Sequence, residues 1–117
     1  METKALNVEA CCNKLVKAVK KVAWHKHAHV HFRFKNKKDE LVVICSETGA
    51  IQIVVKEKNA PKGESKPWEE SDFGKVNPEE ALLKNQSKIE NIKIDAGNFR
   101  MEWKTLPNFM QWLDEMQ

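Results

Sequence analysis

The fold is decided by the stretch His29-Val30-His31-Phe32-Arg33-Phe34-Lys35, in which polar and apolar side chains alternate strictly. Neighbouring side chains of an extended chain point to opposite sides, so Val30, Phe32 and Phe34 share one side. The other side receives His29, His31 and Arg33. This pattern predicts a strand that is buried on one face only.

Two further apolar runs follow at short intervals. Leu41-Val42-Val43-Ile44-Cys45 is separated from the first strand by the charged turn Asn36 to Glu40. Glu47-Thr48-Gly49 is a turn signal before the third run, in which Ile51, Ile53 and Val55 alternate with other residues. Three strands joined by short turns predict an antiparallel meander.

A helix is predicted over 8–23, ahead of the meander. Its apolar residues recur every three or four positions, as one buried stripe requires: Val8, Cys12, Leu15, Val19 and Val22. Asn7 suits the N-cap, and Leu6 to Val8 can open with a short strand. A second helix is predicted from the cap Asn77 through Pro78 to about Asn85, because proline favours the first helical position.

The carboxyl-terminal part repeats these signals. Strands are predicted over 89–95 and 99–104 around the tight turn Ala96-Gly97-Asn98, and a short helix over 109–116. Between the two halves, residues 56–77 combine prolines, glycines and charges, which predicts a long and partly mobile loop tied down by Trp68 and Phe73. We therefore expect a single α+β domain over 1–117, an antiparallel sheet with two or three helices.

The composition excludes several classes of protein. With 41% hydrophobic and 32% charged residues, the 117-residue chain is globular rather than disordered. No run approaches the roughly 20 apolar residues that span a bilayer. Met1 to Leu6 is charged and lacks the apolar core of a secretory signal. We expect a cytoplasmic protein with no membrane partner and no cofactor.

The three cysteines are predicted to pack as small hydrophobic residues. Cys11 and Cys12 are adjacent, so a disulfide between them would be strained. With Cys45 the number of cysteines is odd, so they cannot all be paired. The spacing argues against a disulfide framework and favours a reducing compartment.

The order of elements resembles a domain of the DNA sliding clamps. Three segments carry the likeness: Leu6-Asn7-Val8 with the helix ending Val19-Lys20-Lys21-Val22, the strands 29–34 and 40–53, and the hairpin 92–107. The resemblance implies helices lining a basic surface with the sheet outside. A single domain of this kind encircles DNA only as a ring of several copies, or uses the fold to bind another partner.

Positive charge is concentrated near the amino terminus. Residues 1–38 contain ten Lys or Arg and two Glu, whereas residues 39–117 contain ten Lys or Arg and fifteen acids. On the first helix, Lys14, Lys17 and Lys21 share one face, with Lys20 beside them. Such a face can contact phosphates, and it can equally be an ordinary solvated surface. The candidate DNA- or partner-binding residues are Lys14, Lys17, Lys20, Lys21, Lys26, Arg33 and Trp68.

Histidines occur at every second position from 25 to 31. In an extended chain His25, His27, His29 and His31 project from one face at intervals of about 6–7 Å. Two imidazoles at this spacing can share a transition metal if a carboxylate such as Asp39, Glu40 or Glu47 completes the site. The alternatives are a solvent-facing strand, or a basic surface that grows as pH falls toward the ordinary histidine pKa near 6.5.

Catalytic motifs are missing from the sequence. There is no nucleophile elbow, phosphate-binding glycine loop, dinucleotide fingerprint or Cys-x-x-Cys. The sequence therefore favours a non-enzymatic binding module that engages DNA or a DNA-handling protein through its basic amino-terminal face. Two alternatives remain: a small inhibitor or immunity-type protein that binds one protein target through the long loop and its aromatic residues, and a histidine-cluster metal-binding protein.

Overall fold

A five-stranded antiparallel sheet combined with helices confirms the α+β class. The computed structural model describes residues 6–23, 26–58 and 64–117. Within these ranges the elements are α1 (Val8–Val22), β1 (His27–Phe34), β2 (Asp39–Ser46), β3 (Ile51–Glu57), α2 (Pro78–Lys84), β4 (Ile89–Ala96), β5 (Phe99–Trp103) and α3 (Leu106–Glu115).

Helix α1 begins where its cap predicts. The Asn7 side chain accepts a hydrogen bond from the Ala10 N–H at 2.9 Å, which satisfies one of the free donors of the first turn. The predicted strand before it does not form, and Leu6 is instead buried with its N–H donating to Gln86 Oε1. Val22 is also not part of the buried stripe: it is 48% exposed, because the last turn of α1 lies at the surface.

The sheet has the strand order β3-β2-β1-β4-β5. The predicted meander β1-β2-β3 is confirmed, and β1 is central because β4 pairs with its other edge. Phe32, for example, lies opposite Leu41 of β2 and Ile92 of β4. The alternating burial of β1 follows the sequence pattern, with Val30, Phe32 and Phe34 fully buried.

The helices pack against one face of this sheet. Leu15 of α1, Leu82 of α2 and Phe109 of α3 belong to the same apolar core as Phe32 and Ile94. Because alternate strand residues point the opposite way, His29 and His31 lie on the other face. No described helix packs there, and we call it the helix-free face.

The loop after β3 is two residues shorter than predicted, because β3 continues to Glu57 and the loop therefore starts at position 58 instead of 56. Trp68 and Phe73 tie it down as expected: their rings stack at 5.9 Å, and Phe73 packs edge-on against Phe34 at 5.5 Å. Trp68 Nε1–H also donates to the Val76 carbonyl at 2.8 Å. Residues 59–63 lie outside the described residues, so the predicted mobility of the loop remains a prediction.

The prediction for the cysteines is wrong for two of them. Cys12 of α1 and Cys45 of β2 form a disulfide, with their Cα atoms 5.3 Å apart. Cys11 is a free and buried thiol, as predicted. Sequence spacing excluded only a bond between neighbours, whereas the packing of α1 on β2 brings together two residues that are 33 positions apart.

Candidate functional site

Four lysines follow one another along the outward face of α1. Lys17, Lys20 and Lys21 are exposed and Lys14 is half-exposed, while Leu15, Ala18 and Val19 on the opposite face are buried. We call these four residues the lysine ridge. Lys14, Lys17 and Lys21 have the spacing of one helix face, as predicted, and Lys20 lies beside that row with its ammonium group near Glu47. Lys26, which follows α1, is exposed as well.

The end of the chain packs beside the lysine ridge. Lys14 Nζ forms an ion pair with Asp114 Oδ1 of α3 at 2.7 Å. Lys21 Nζ donates to the main-chain carbonyls of Met116 and Gln117, the latter at 2.7 Å. Lysine donors at the end of a helix satisfy carbonyls that have no partner within it. Two ridge ammonium groups are thus occupied by α3 and the residues that follow it.

The remaining ridge lysines are less engaged. Lys20 Nζ lies 3.4 Å from Glu47 Oε2, and the two side chains are 46% and 33% exposed. Lys17 has no ion pair within residues 6–23, 26–58 and 64–117. All the ridge partners lie at the surface, where an ion pair contributes about 0–1 kcal/mol and competes poorly against a multivalent anion.

A groove separates α1 from α3 next to the ridge. Its volume is about 210 Å³, and it is lined by Asn7, Ala10, Cys11, Lys14, Met110, Leu113 and Asp114. Burial raises the pKa of the Cys11 thiol to about 12, although the nearby Lys14 charge opposes the rise. The thiol therefore remains protonated near neutral pH and is a poor nucleophile.

The helix-free face holds a buried carboxylate among basic side chains. Glu40 is 5% exposed, and its two oxygens lie 3.0 Å from His31 Nδ1 and 2.7 Å from Arg33 Nε. Burial alone would raise the pKa of Glu40, but the hydrogen bonds from His31 and Arg33 outweigh it and hold that pKa below its ordinary value. Arg33 also donates to the Lys58 carbonyl at 3.1 Å. Arg33 thus joins β1, β2 and the start of the loop, on the opposite face from the ridge.

The predicted histidine row is on this face. His27 is exposed, and His29 and His31 are half-buried at alternate positions of β1. Burial, together with the charges of His31 and Lys56, lowers the pKa of His29. His29 therefore gains charge at a lower pH than an ordinary histidine, which weakens the expectation that it extends a basic surface near neutral pH.

The described histidines do not come together as the metal site that their spacing allowed. No group of three or more His, Cys, Asp or Glu able to hold a metal occurs in the parts of the chain that the structure describes. Of the three predicted carboxylates, Glu40 meets one histidine, His31, but its second oxygen is bound by Arg33, while Asp39 pairs with Lys66 and Glu47 with Lys20. His25 lies outside the described residues, so the predicted four-histidine row cannot be followed in full.

Asp39 is a structural residue that the sequence did not reveal. It is fully buried, accepts from Lys66 Nζ at 3.0 Å, and accepts from the Asp72 N–H at 3.0 Å. Because Asp39 is the first residue of β2, these bonds attach the long loop to that strand. In the sequence, Asp39 is an acidic residue next to an apolar run, and this pattern is as typical of an exposed turn as of a buried acid. Trp68 serves the same loop and is not part of the ridge.

Comparison with protein-family models, with curated proteins and with solved structures gave no match. The resemblance to a clamp domain therefore remains a prediction. Within the described ranges, no helix is long and apolar enough to cross a membrane.

Proposed function

We propose that this chain is a non-enzymatic binding module that engages DNA, or a DNA-handling protein, through the lysine ridge. The observation that carries the proposal is the alignment of Lys14, Lys17, Lys20 and Lys21 along the surface side of one helix. A row of three lysines on one helix face, with a fourth beside it, matches a repeating phosphate backbone better than scattered charges do. A cytoplasmic location belongs to the same proposal, and it requires that the Cys12–Cys45 bond persist in a reducing compartment, where disulfides are uncommon.

The existing partners of the ridge leave it able to bind. The Lys14–Asp114 pair has side-chain exposures of 42% and 52%, so water already screens it. A phosphate can replace Asp114 at small cost and add a contact to Lys17 at the same time. The ridge is therefore held in position by weak surface contacts that a polyanion can displace.

The mechanism is electrostatic and independent of base sequence. Each lysine that reaches a phosphate releases a condensed counterion, so the affinity falls steeply with salt. The ridge cations are all lysines, with no arginine among them, and a single exposed amide within α1, that of Asn13, lies on the same face four residues before Lys17. Affinity for double-stranded DNA should thus vary little between sequences of equal length.

Reversal of the ridge charge tests the proposal. The variant Lys14→Glu, Lys17→Glu, Lys21→Glu should lose binding to duplex DNA in a gel-shift assay. A matched variant with the same total charge carries Lys75→Glu, Lys84→Glu and Lys104→Glu at exposed positions away from α1. It should retain most of the binding. Equal shifts from both variants would show that net charge alone, and not the ridge, determines affinity.

A further inference from the structure

The two edge strands of the sheet differ in how they are covered. On the outer side of β3, the Lys66 N–H donates to the Val55 carbonyl at 2.9 Å. On the outer side of β5, no main-chain bond comes from any residue within 6–23, 26–58 or 64–117. β5 has no proline, and its two charged residues, Arg100 and Glu102, have opposite signs, so they discourage a partner strand of one charge sign but not one with the complementary pattern.

The turn before β5 fixes which main-chain groups are free. β4 and β5 are joined by the two-residue turn 97–98, in which Gly97 has a φ of +64° and Ala96 pairs with Phe99. The closing pair of such a hairpin is hydrogen-bonded, so Phe99, Met101 and Trp103 direct their N–H and C=O groups to β4. The main-chain groups of Arg100 and Glu102 therefore point outward.

The sequence of β5 is symmetric in chemistry about its centre. It is Phe99-Arg100-Met101-Glu102-Trp103, with opposite charges on either side of Met101 and an aromatic residue at each end. We propose that β5 is a self-association edge: a second copy of this chain pairs with it, antiparallel, about a two-fold axis at Met101. Arg100 then lies opposite Glu102 of the partner subunit, and Phe99 lies opposite Trp103 of the partner subunit.

Main-chain and side-chain registers agree in this arrangement. Arg100 lies opposite Glu102 of the partner subunit, and the two-fold axis repeats this pair on the other side of Met101. Arg100 and Glu102 are also the residues whose main-chain groups point outward, so the same pairs match in charge and exchange main-chain hydrogen bonds. Arg100 can pair with a second copy, because its side chain is 71% exposed and its contact with Asp95 Oδ1 is long, at 3.8 Å. Glu102 currently accepts from Asn91 Nδ2.

Apolar surface on the helix side of β5 supports the same partner. Trp112 of α3 packs on Phe99 at 6.0 Å and on Trp103 at 5.0 Å, and all three rings are only partly buried. Pairing of two β5 strands brings two such clusters together across the axis. A strongly acidic or strongly basic peptide would leave one of the two β5 charges opposite a like charge, whereas a second copy matches both.

Charge reversal with rescue tests the pairing. Sedimentation equilibrium of the wild-type chain should show a concentration-dependent species at twice the 13.5 kDa chain mass. Arg100→Glu or Glu102→Arg alone places like charges opposite each other at both pairs, and should raise the dimer dissociation constant on the order of tenfold. The double variant Arg100→Glu, Glu102→Arg restores the complementarity and should restore the dimer. Lys56→Glu on the opposite edge strand is the control and should leave the dimer unchanged.

Three results would overturn this inference. They are a wild-type chain that stays monomeric at millimolar concentration, a dimer insensitive to either single reversal, and a double variant that remains as weak as the singles. Circular dichroism of each variant shows that the fold is retained, as expected for two exposed side chains. The dimer test does not involve the lysine ridge, so it is independent of the proposed DNA binding.

Discussion

Lys14 of α1 and Asp114 of α3 form a 2.7 Å ion pair across 100 residues of sequence. This contact places an acid of the last helix on the basic surface that we propose binds DNA. If the ridge binds DNA as proposed, Asp114 and a phosphate compete for the Lys14 ammonium group, and α3 then influences how readily the ridge binds.

Asp114→Asn should increase DNA affinity. The amide removes the competing charge but keeps the size of the side chain, so Lys14 becomes free for a phosphate. We expect the affinity for DNA to rise about two- to fivefold, because a surface ion pair contributes little free energy. Glu115→Gln removes the same charge from the next position and should give a smaller gain. Fluorescence anisotropy with a labelled duplex measures both, and equal gains would argue against direct competition.

The Cys12–Cys45 disulfide should contribute measurably to stability. It closes a loop between residues 33 positions apart, for which chain entropy predicts about 3–4 kcal/mol. Urea unfolding with and without dithiothreitol should show a lower free energy of unfolding after reduction. Titration of the denatured, unreduced protein should detect a single thiol, that of Cys11. Detection of three thiols would contradict the bond.

Glu40 should make stability depend on acid pH. Its pKa in the folded protein lies below the ordinary value of 4.5, so its contribution is complete well above pH 4.5 and is lost as pH falls through the folded pKa. Glu40→Gln should cost about 1–3 kcal/mol near pH 7, because Arg33 and His31 lose a charged partner. The difference from wild type should shrink in acid. A difference that stays constant from pH 7 to pH 3 would contradict the assignment.

Asp39→Ala should release the long loop. Lys66 and the Asp72 N–H lose their shared acceptor, so two contacts that attach the loop to β2 are lost and the loop opens more readily. Hydrogen exchange should increase most at residues 66–73, while β4 and β5 should keep their protection. Glu57→Ala is the control, since Glu57 lies 3.7 Å from Lys66 but is 57% exposed. Uniform loss of protection would mean that Asp39 holds the whole fold and not this loop.

The sequence predicted those features that depend on near neighbours. The alternation of Val30, Phe32 and Phe34 predicted the buried face of β1, and Asn7 and Asn77 predicted the helix caps, because these effects act within a few residues. The spacing of the ridge lysines likewise followed from helix periodicity.

Features that depend on distant parts of the chain could not be predicted. The Cys12–Cys45 bond requires α1 to cross β2, and the burial of Asp39 requires Lys66 and Asp72 to return from the loop. The pairing of Lys14 with Asp114 depends on where α3 ends relative to α1. None of these contacts leaves a local pattern in the sequence, since each joins residues at least 27 positions apart.

The salt dependence of DNA binding shows whether the ridge lysines contact phosphates. Affinities of the wild type and of the neutral variant Lys14→Gln, Lys17→Gln, Lys21→Gln, which should keep the weaker binding of the remaining cations, are measured by anisotropy on one duplex over a series of salt concentrations. If three ridge lysines contact phosphates, the wild-type logarithmic slope should be steeper than that of the variant by about 2–3. Parallel slopes for the two proteins would contradict a role for the ridge in DNA binding.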